Sequence, residues 1–159
     1  MATHCSSSMT DHVVYLGLGS NLGDKERNIH EAVKQIGELI GTVECLSALL
    51  VTEPWGFESA NQFVNAVCRC RTTCSPREVL RLTQQIERAM GRRKRRKVTS
   101  AHRTYHDRII DIDILLYDDL TVREPDLQIP HPLMHERDFV MKPLAEVLLP
   151  AATDASALT

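Results

Sequence analysis

Asp111 and Asp113 stand two positions apart in an otherwise apolar run, residues 109–117. At strand spacing, positions i and i+2 leave the same face about 6.6 Å apart along the chain, so both carboxylates can converge on one divalent ion or bridge two. Two ionised aspartates this close repel on an apolar strand unless a cation neutralises them. Ligands that are all oxygen suit Mg²⁺, which keeps several waters and shares its shell with substrate phosphates. The competing reading is a solvated strand side where the aspartates pair with arginines. Arg108 precedes Asp111 by three residues, and Arg92 opens a run of six consecutive cations, residues 92–97. Phosphoryl transfer needs that combination of metal and guanidinium groups, because charge neutralisation is most of the protein's work. Alone, the same run reads equally as a solvated loop or a polyanion patch.

Other side chains could read a substrate. His131 lies between Pro130 and Pro132, whose fixed φ stiffens the backbone and aims the imidazole in one direction; a phosphate or nucleotide contact and a structural role both fit. Phe63 beside Asn65, and Phe139 after Arg137, could form a stacking slot with an amide for the edge of a flat heterocycle, or could be ordinary core. Gly17-Leu18-Gly19 after a strand suggests dinucleotide binding only weakly, since the expected second and third strands are consecutive and no phosphate-loop motif is present. Five scattered cysteines without a CxxC pair point to reduced thiols in a cytoplasmic protein rather than to zinc.

These side chains need a scaffold, and the composition supplies one. With 159 residues, 43% hydrophobic and 25% charged, the chain has enough material for one core. Its 19 basic and 21 acidic residues give a net charge of −2, so general basicity does not make nucleic acid the default partner. No apolar stretch approaches the roughly 20 residues of a membrane-spanning helix. Residues 1–11 read as a disordered leader, 12–150 as a single domain and 151–159 as a tail.

Within the domain, residues 13–19 predict a buried strand and 25–40 a helix with Ile29, Val33, Ile36 and Ile40 on one stripe, stopped by Gly41. Residues 42–52 and 63–71 predict two more strands. Ser75-Pro76-Arg77-Glu78 is a capping box that starts a helix running to Met90, with Val79, Leu82, Ile86 and Met90 buried. Residues 91–108 lack apolar periodicity and predict a mobile loop. Residues 109–117 alternate, Ile110, Ile112, Ile114 and Leu116 on one face and Asp111, Asp113, Leu115 and Tyr117 on the other. A short edge segment at 127–129 and a helix at 134–148 follow. The order β-α-β-β-α-β implies an α+β ferredoxin-like sandwich, an antiparallel sheet with helices packed on one face plus C-terminal additions.

Several ordered blocks carry a resemblance. They are Leu18-Gly19-Ser20-Asn21-Leu22-Gly23, Thr52-Glu53-Pro54-Trp55-Gly56, Phe63-Val64-Asn65-Ala66-Val67, Gln84-Gln85-Ile86-Glu87, Gly91-Arg92, Arg108-Ile109-Ile110-Asp111-Ile112-Asp113-Ile114, Ile129-Pro130-His131-Pro132 and Arg137-Asp138-Phe139. Through them the chain from residue 15 to 150 resembles the 6-hydroxymethyl-7,8-dihydropterin pyrophosphokinases of folate biosynthesis, a family with a ferredoxin-like fold. The resemblance implies transfer of the β,γ-diphosphate of ATP to the pterin's hydroxymethyl oxygen, leaving AMP. It implies that Asp111 and Asp113 hold two Mg²⁺ ions and that Arg92 and Arg108 offset charge on the transferring group. Asn65, Thr52, Pro54 and Trp55 would read the pterin edge, with Phe63 and Phe139 on its faces. Gln84, Glu87, Ile114, His131 and Arg137 would lie with the ATP. Residues 91–108 are longer and more basic than the family's enterobacterial form, and Trp55 replaces a smaller aliphatic residue. A monomer acting on ATP and the pterin, with neither nucleic acid nor membrane as partner, is the expectation. The alternative is a noncatalytic ferredoxin-like module that binds nucleic acid through the basic loop.

Overall fold

The computed structural model describes residues 11–52, 62–91 and 109–148. The apolar run at the start becomes β1 (His12–Ser20), and Asp24 then caps α1 (Lys25–Leu39) by accepting from the Arg27 amide at 3.2 Å. Next come β2 (Thr42–Leu46), β3 (Leu50–Thr52), β4 (Phe63–Thr72) and α2 (Pro76–Ala89). The chain continues through β5 (Asp111–Tyr117), β6 (Val122–Glu124), β7 (Leu127–Ile129), a 3-10 helix (Met134–Glu136) and α3 (Asp138–Val147). The main sheet runs β2-β4-β1-β5, with β3 paired to the other end of β4 and every pairing antiparallel. The last two strands form a separate hairpin. This is the α+β sandwich expected from the order of elements.

Alternation along the two central strands feeds two cores. Val14, Leu16 and Leu18 of β1 and Val64, Ala66, Cys68 and Cys70 of β4 face α1 and α2, whose Ile29, Ala32, Ile36, Val79 and Ile86 are buried against them. Tyr15 and Val67 face the other way and pack with Leu115 against Val140, Leu144 and Val147 of α3. The C-terminal addition therefore covers the second face of the sheet. Gly41 is required where α1 turns into β2, since a Cβ there would overlap the Arg71 carbonyl.

Four local expectations change. Residues 42–52 make two strands rather than one, because Ser47 interrupts the ladder. Its hydroxyl accepts from the Val67 amide at 3.0 Å and donates to the Ala48 carbonyl at 2.9 Å, and the freed Ala48 amide goes to Glu146 at 2.9 Å. The single helix expected over 134–148 is split at Arg137, whose φ of −124° and ψ of 105° are extended. Strand β6 joins the expected 127–129 segment as a hairpin, tied to the start of α2 by Arg77 bonding Glu124 and Asp126. On β5, Tyr15 pairs with Leu116 but Leu16 pairs with Ile114, so Leu115 is an extra residue in a bulge. Beyond it the faces exchange: Tyr117 joins Ile110, Ile112 and Ile114 in the core under α1 and α2, and Leu116 packs with Leu115 toward α3.

Candidate active site

Ahead of the bulge, β5 keeps its alternation. Because Ile110, Ile112 and Ile114 enter the core beneath the first two helices, Asp111 and Asp113 project from the α3 face, both partly exposed. Phe63 and Asn65 project from the same face of β4, two strands away. Between them runs β1, and the residues it presents there are glycines: Gly19 is paired with Asn65 on one side and Asp111 on the other, Gly17 with Val67 and Asp113. The outcome is a trough floored by bare backbone, with an amide and a ring on one bank and two carboxylates on the other, roughly 10 Å apart as two strand spacings.

Gly19 is needed for that shape. A Cβ at this position would stand 3.1 Å from Asn65 Oδ1 and 3.7 Å from Phe63 Cδ1. Asn65 is 7% exposed and donates from Nδ2 to Thr52 Oγ1 at 2.9 Å, so its carboxamide is oriented before any ligand arrives. Thr52 reaches it because β3 pairs Thr52 with Phe63. The Gly17-Leu18-Gly19 motif, weak evidence for a dinucleotide loop, thus has its use inside a strand. The signal was in the sequence as a glycine at every second position, but only the register with β4 and β5 shows what it opens.

The outer edge of β5 carries a second group. A cis peptide joins Ile129 to Pro130, and the next residue, His131, donates its amide to the Leu115 carbonyl at 3.1 Å, which lays it along that edge. The Leu133 amide donates to His131 Nδ1 at 3.2 Å, leaving the ring proton of the neutral imidazole on Nε2. Burial, and then the Arg137 guanidinium, push His131 below the ordinary histidine value of 6.5, with Asp111 opposing them. Arg137 in turn has its Cζ 5.6 Å from the centre of the Phe139 ring. On α2, Glu87 is buried and its Oε2 accepts from the Ile112 amide at 2.8 Å, whereas Gln84, a turn earlier, is exposed. Ile114 is in the core, so any contact it makes along this edge is through backbone, which faces the same way as that of Ile112. Pro54, Trp55, Arg92, Arg108, the whole basic run and the expected leader and tail (residues 1–10 and 151–159) lie outside the described residues.

Among the described residues, no three His, Cys, Asp or Glu side chains form a metal-holding group. Two same-face carboxylates are nonetheless a fitting donor set for Mg²⁺, which leaves the remainder of an octahedral shell to water and phosphate. Among the described residues no helix is long and apolar enough to cross a membrane.

A ferredoxin-like α+β domain with paired carboxylates facing an oriented amide across a bare strand has the donor groups suited to a small-molecule transferase acting on a metal-bound polyanion. The comparisons with known proteins narrow that class. A model of the 7,8-dihydro-6-hydroxymethylpterin-pyrophosphokinase (HPPK) family matches residues 15–149, and the chain belongs to this family. The 2-amino-4-hydroxy-6-hydroxymethyldihydropteridine pyrophosphokinase of Porphyromonas gingivalis is 46% identical over 136 residues, covering 85% of this chain and 90% of that protein. The enzyme of the same name from Bacillus subtilis is 39% identical over 138 residues, covering 86% and 78%. The wild-type Plasmodium falciparum HPPK-DHPS crystal structure with pteroate superposes with a TM-score of 0.65 at 17% identity, over 88% of this chain and 39% of that longer one. That likeness supports the fold.

Proposed function

We propose that the chain transfers diphosphate from ATP to 6-hydroxymethyl-7,8-dihydropterin, a step of tetrahydrofolate biosynthesis that yields AMP and the pterin diphosphate. One observation carries this reading beyond family membership: across the glycine floor, the amide suited to a heterocycle edge and the carboxylates suited to Mg²⁺ face a common trough. In this arrangement Asn65, Thr52, Pro54 and Trp55 read the pterin edge, and Phe63 and Phe139 hold its faces. The hydroxymethyl arm then extends over Gly19 toward Asp111 and Asp113.

ATP lies along the outer edge of β5, against Gln84, Ile114, His131 and Arg137, with Glu87 behind the strand and bonded to the Ile112 amide. The neutral imidazole of His131 offers Nε2–H to a nucleotide or phosphate oxygen, and Arg137 adds a fixed positive charge. Asp111 and Asp113 would hold two Mg²⁺ ions, which would supply charge neutralisation and alignment for the triphosphate. Arg92 and Arg108 balance the charge that develops on the transferring group. The substrate hydroxyl oxygen forms its bond to the β-phosphorus as its proton passes to solvent, the bond from that phosphorus to the α-phosphate oxygen breaks, and AMP leaves with the electron pair; no protein nucleophile takes part. The active unit is the single domain 12–150, monomeric and cytoplasmic. No observation favours the nucleic-acid module.

Incubation with ATP, the pterin alcohol and Mg²⁺, followed by nucleotide chromatography, should give AMP and pterin diphosphate in equal amounts. Production of ADP would refute the assignment. Asp113→Ala should abolish turnover while the far-ultraviolet circular dichroism stays that of the parent; retained turnover would remove the carboxylates from the mechanism.

A further inference from the structure

Among the described residues, strand β5 is the edge of its sheet, with β1 on one side and no strand on the other. On the inner side the aspartates pair with Gly19 and Gly17, so β1 offers them no side chain to pack against. Backbone bonding on both edges of the strand helps to hold this stretch in place. On the outer edge that bond comes from one side chain: Glu87 Oε2 accepts from the Ile112 amide at 2.8 Å, and Ile112 is the residue between the two carboxylates. Donor and acceptor are both buried, Ile112 at 5% exposure and Glu87 at 7%. A buried strand amide left without an acceptor is costly, so the strand would shift to find one. The helix behind Glu87 is well anchored, since Val79, Thr83 and Ile86 of α2 are all buried.

We propose that Glu87 is a positioning residue for the metal-binding pair, acting through the Ile112 amide to fix the separation and direction of Asp111 and Asp113. The proposal rests on the reading of those aspartates as Mg²⁺ ligands and differs from the direct nucleotide contact expected of Glu87. A residue in direct contact would govern affinity for the nucleotide with or without metal. A residue acting through β5 governs the metal and leaves metal-free nucleotide binding as it was.

Two variants separate these cases. Glu87→Met has similar length and no acceptor oxygen, whereas Glu87→Gln keeps one. With the full chain and α,β-methylene-ATP, Mn²⁺ affinity is read by electron paramagnetic resonance, metal-free analogue affinity by calorimetry in EDTA, and Ile112 amide exchange by NMR. Glu87→Met should weaken Mn²⁺ binding about 10-fold or more, as loss of an outer-shell partner does, and should speed exchange at Ile112. Metal-free affinity should not change, and Glu87→Gln should recover most of the Mn²⁺ affinity. Unchanged Mn²⁺ affinity in Glu87→Met, or a matching loss of metal-free affinity, would overturn the proposal. Asp111→Asn and Asp113→Asn guard the premise: if they too leave Mn²⁺ bound as in the parent, the metal assignment itself fails, a result distinct from failure at Glu87 alone.

Discussion

Gly19 contributes a hydrogen where any other residue would place a carbon. The 3.1 Å between the position a Cβ would take there and Asn65 Oδ1 is tighter than ordinary contact, and the Thr52 bond on the other end of the carboxamide limits how far Asn65 can retreat. Gly19→Ala should therefore raise KM for the pterin about 10-fold, a cost of about 1.4 kcal/mol, with KM for Mg·ATP little altered; steady-state kinetics with each substrate varied would show it, and equal effects on both would contradict the trough. His131 supports a pH prediction. Its imidazole titrates lower in the folded chain than the ordinary 6.5, so between those two values the unfolded state binds the extra proton. Stability then rises with pH through that window, is fully present above 6.5, and is lost as pH falls toward the folded value. Urea titrations between about pH 5 and about pH 8 should show a flatter profile for His131→Asn than for the parent.

At the level of elements, the capping box at the head of α2 was readable in the residues alone and is present, with Ser75 accepting from the Glu78 amide and Glu78 accepting from the Ser75 amide. Ser75→Ala should cost about 1 kcal/mol in urea denaturation and leave the turnover of folded enzyme unaltered; no loss would mean that Arg77 and its hairpin hold the helix start without the cap. The first two helices, β1, β4 and the aspartate strand were legible because each has a strong period or a strong stop. Three features were not. The Ser47 break depends on a hydroxyl competing with a ladder bond, which composition does not reveal. The Leu115 bulge depends on register with β1, and it moved Tyr117 to the face opposite the expected one. Glu87 reads as a polar residue on a helix near a motif, and its bond to Ile112 requires knowing which amide the sheet edge leaves open.

For the molecule as a whole, one sheet separates two duties. The face under α1 and α2 is core, whereas the opposite face is closed by α3 at one end and carries the trough at the other. Two β4 thiols belong to the closed core: burial pushes Cys70 up to about 12 and raises Cys68 as well. In the native protein at mild alkaline pH, iodoacetamide should leave Cys68 and Cys70 unmodified, as peptide mass mapping would report, and modify them in urea. Native labelling at either position would show that the core opens more readily than its packing implies.

The whole account turns on what Asp111 and Asp113 hold. A crystal structure of the protein with Mg²⁺ and α,β-methylene-ATP measures that directly. The account predicts a cation about 2.1 Å from an oxygen of each aspartate, sharing its remaining ligands with phosphate and water, and the nucleotide lying along the outer edge of β5. Both carboxylates bare of metal and turned to bulk water beside a bound analogue would contradict it.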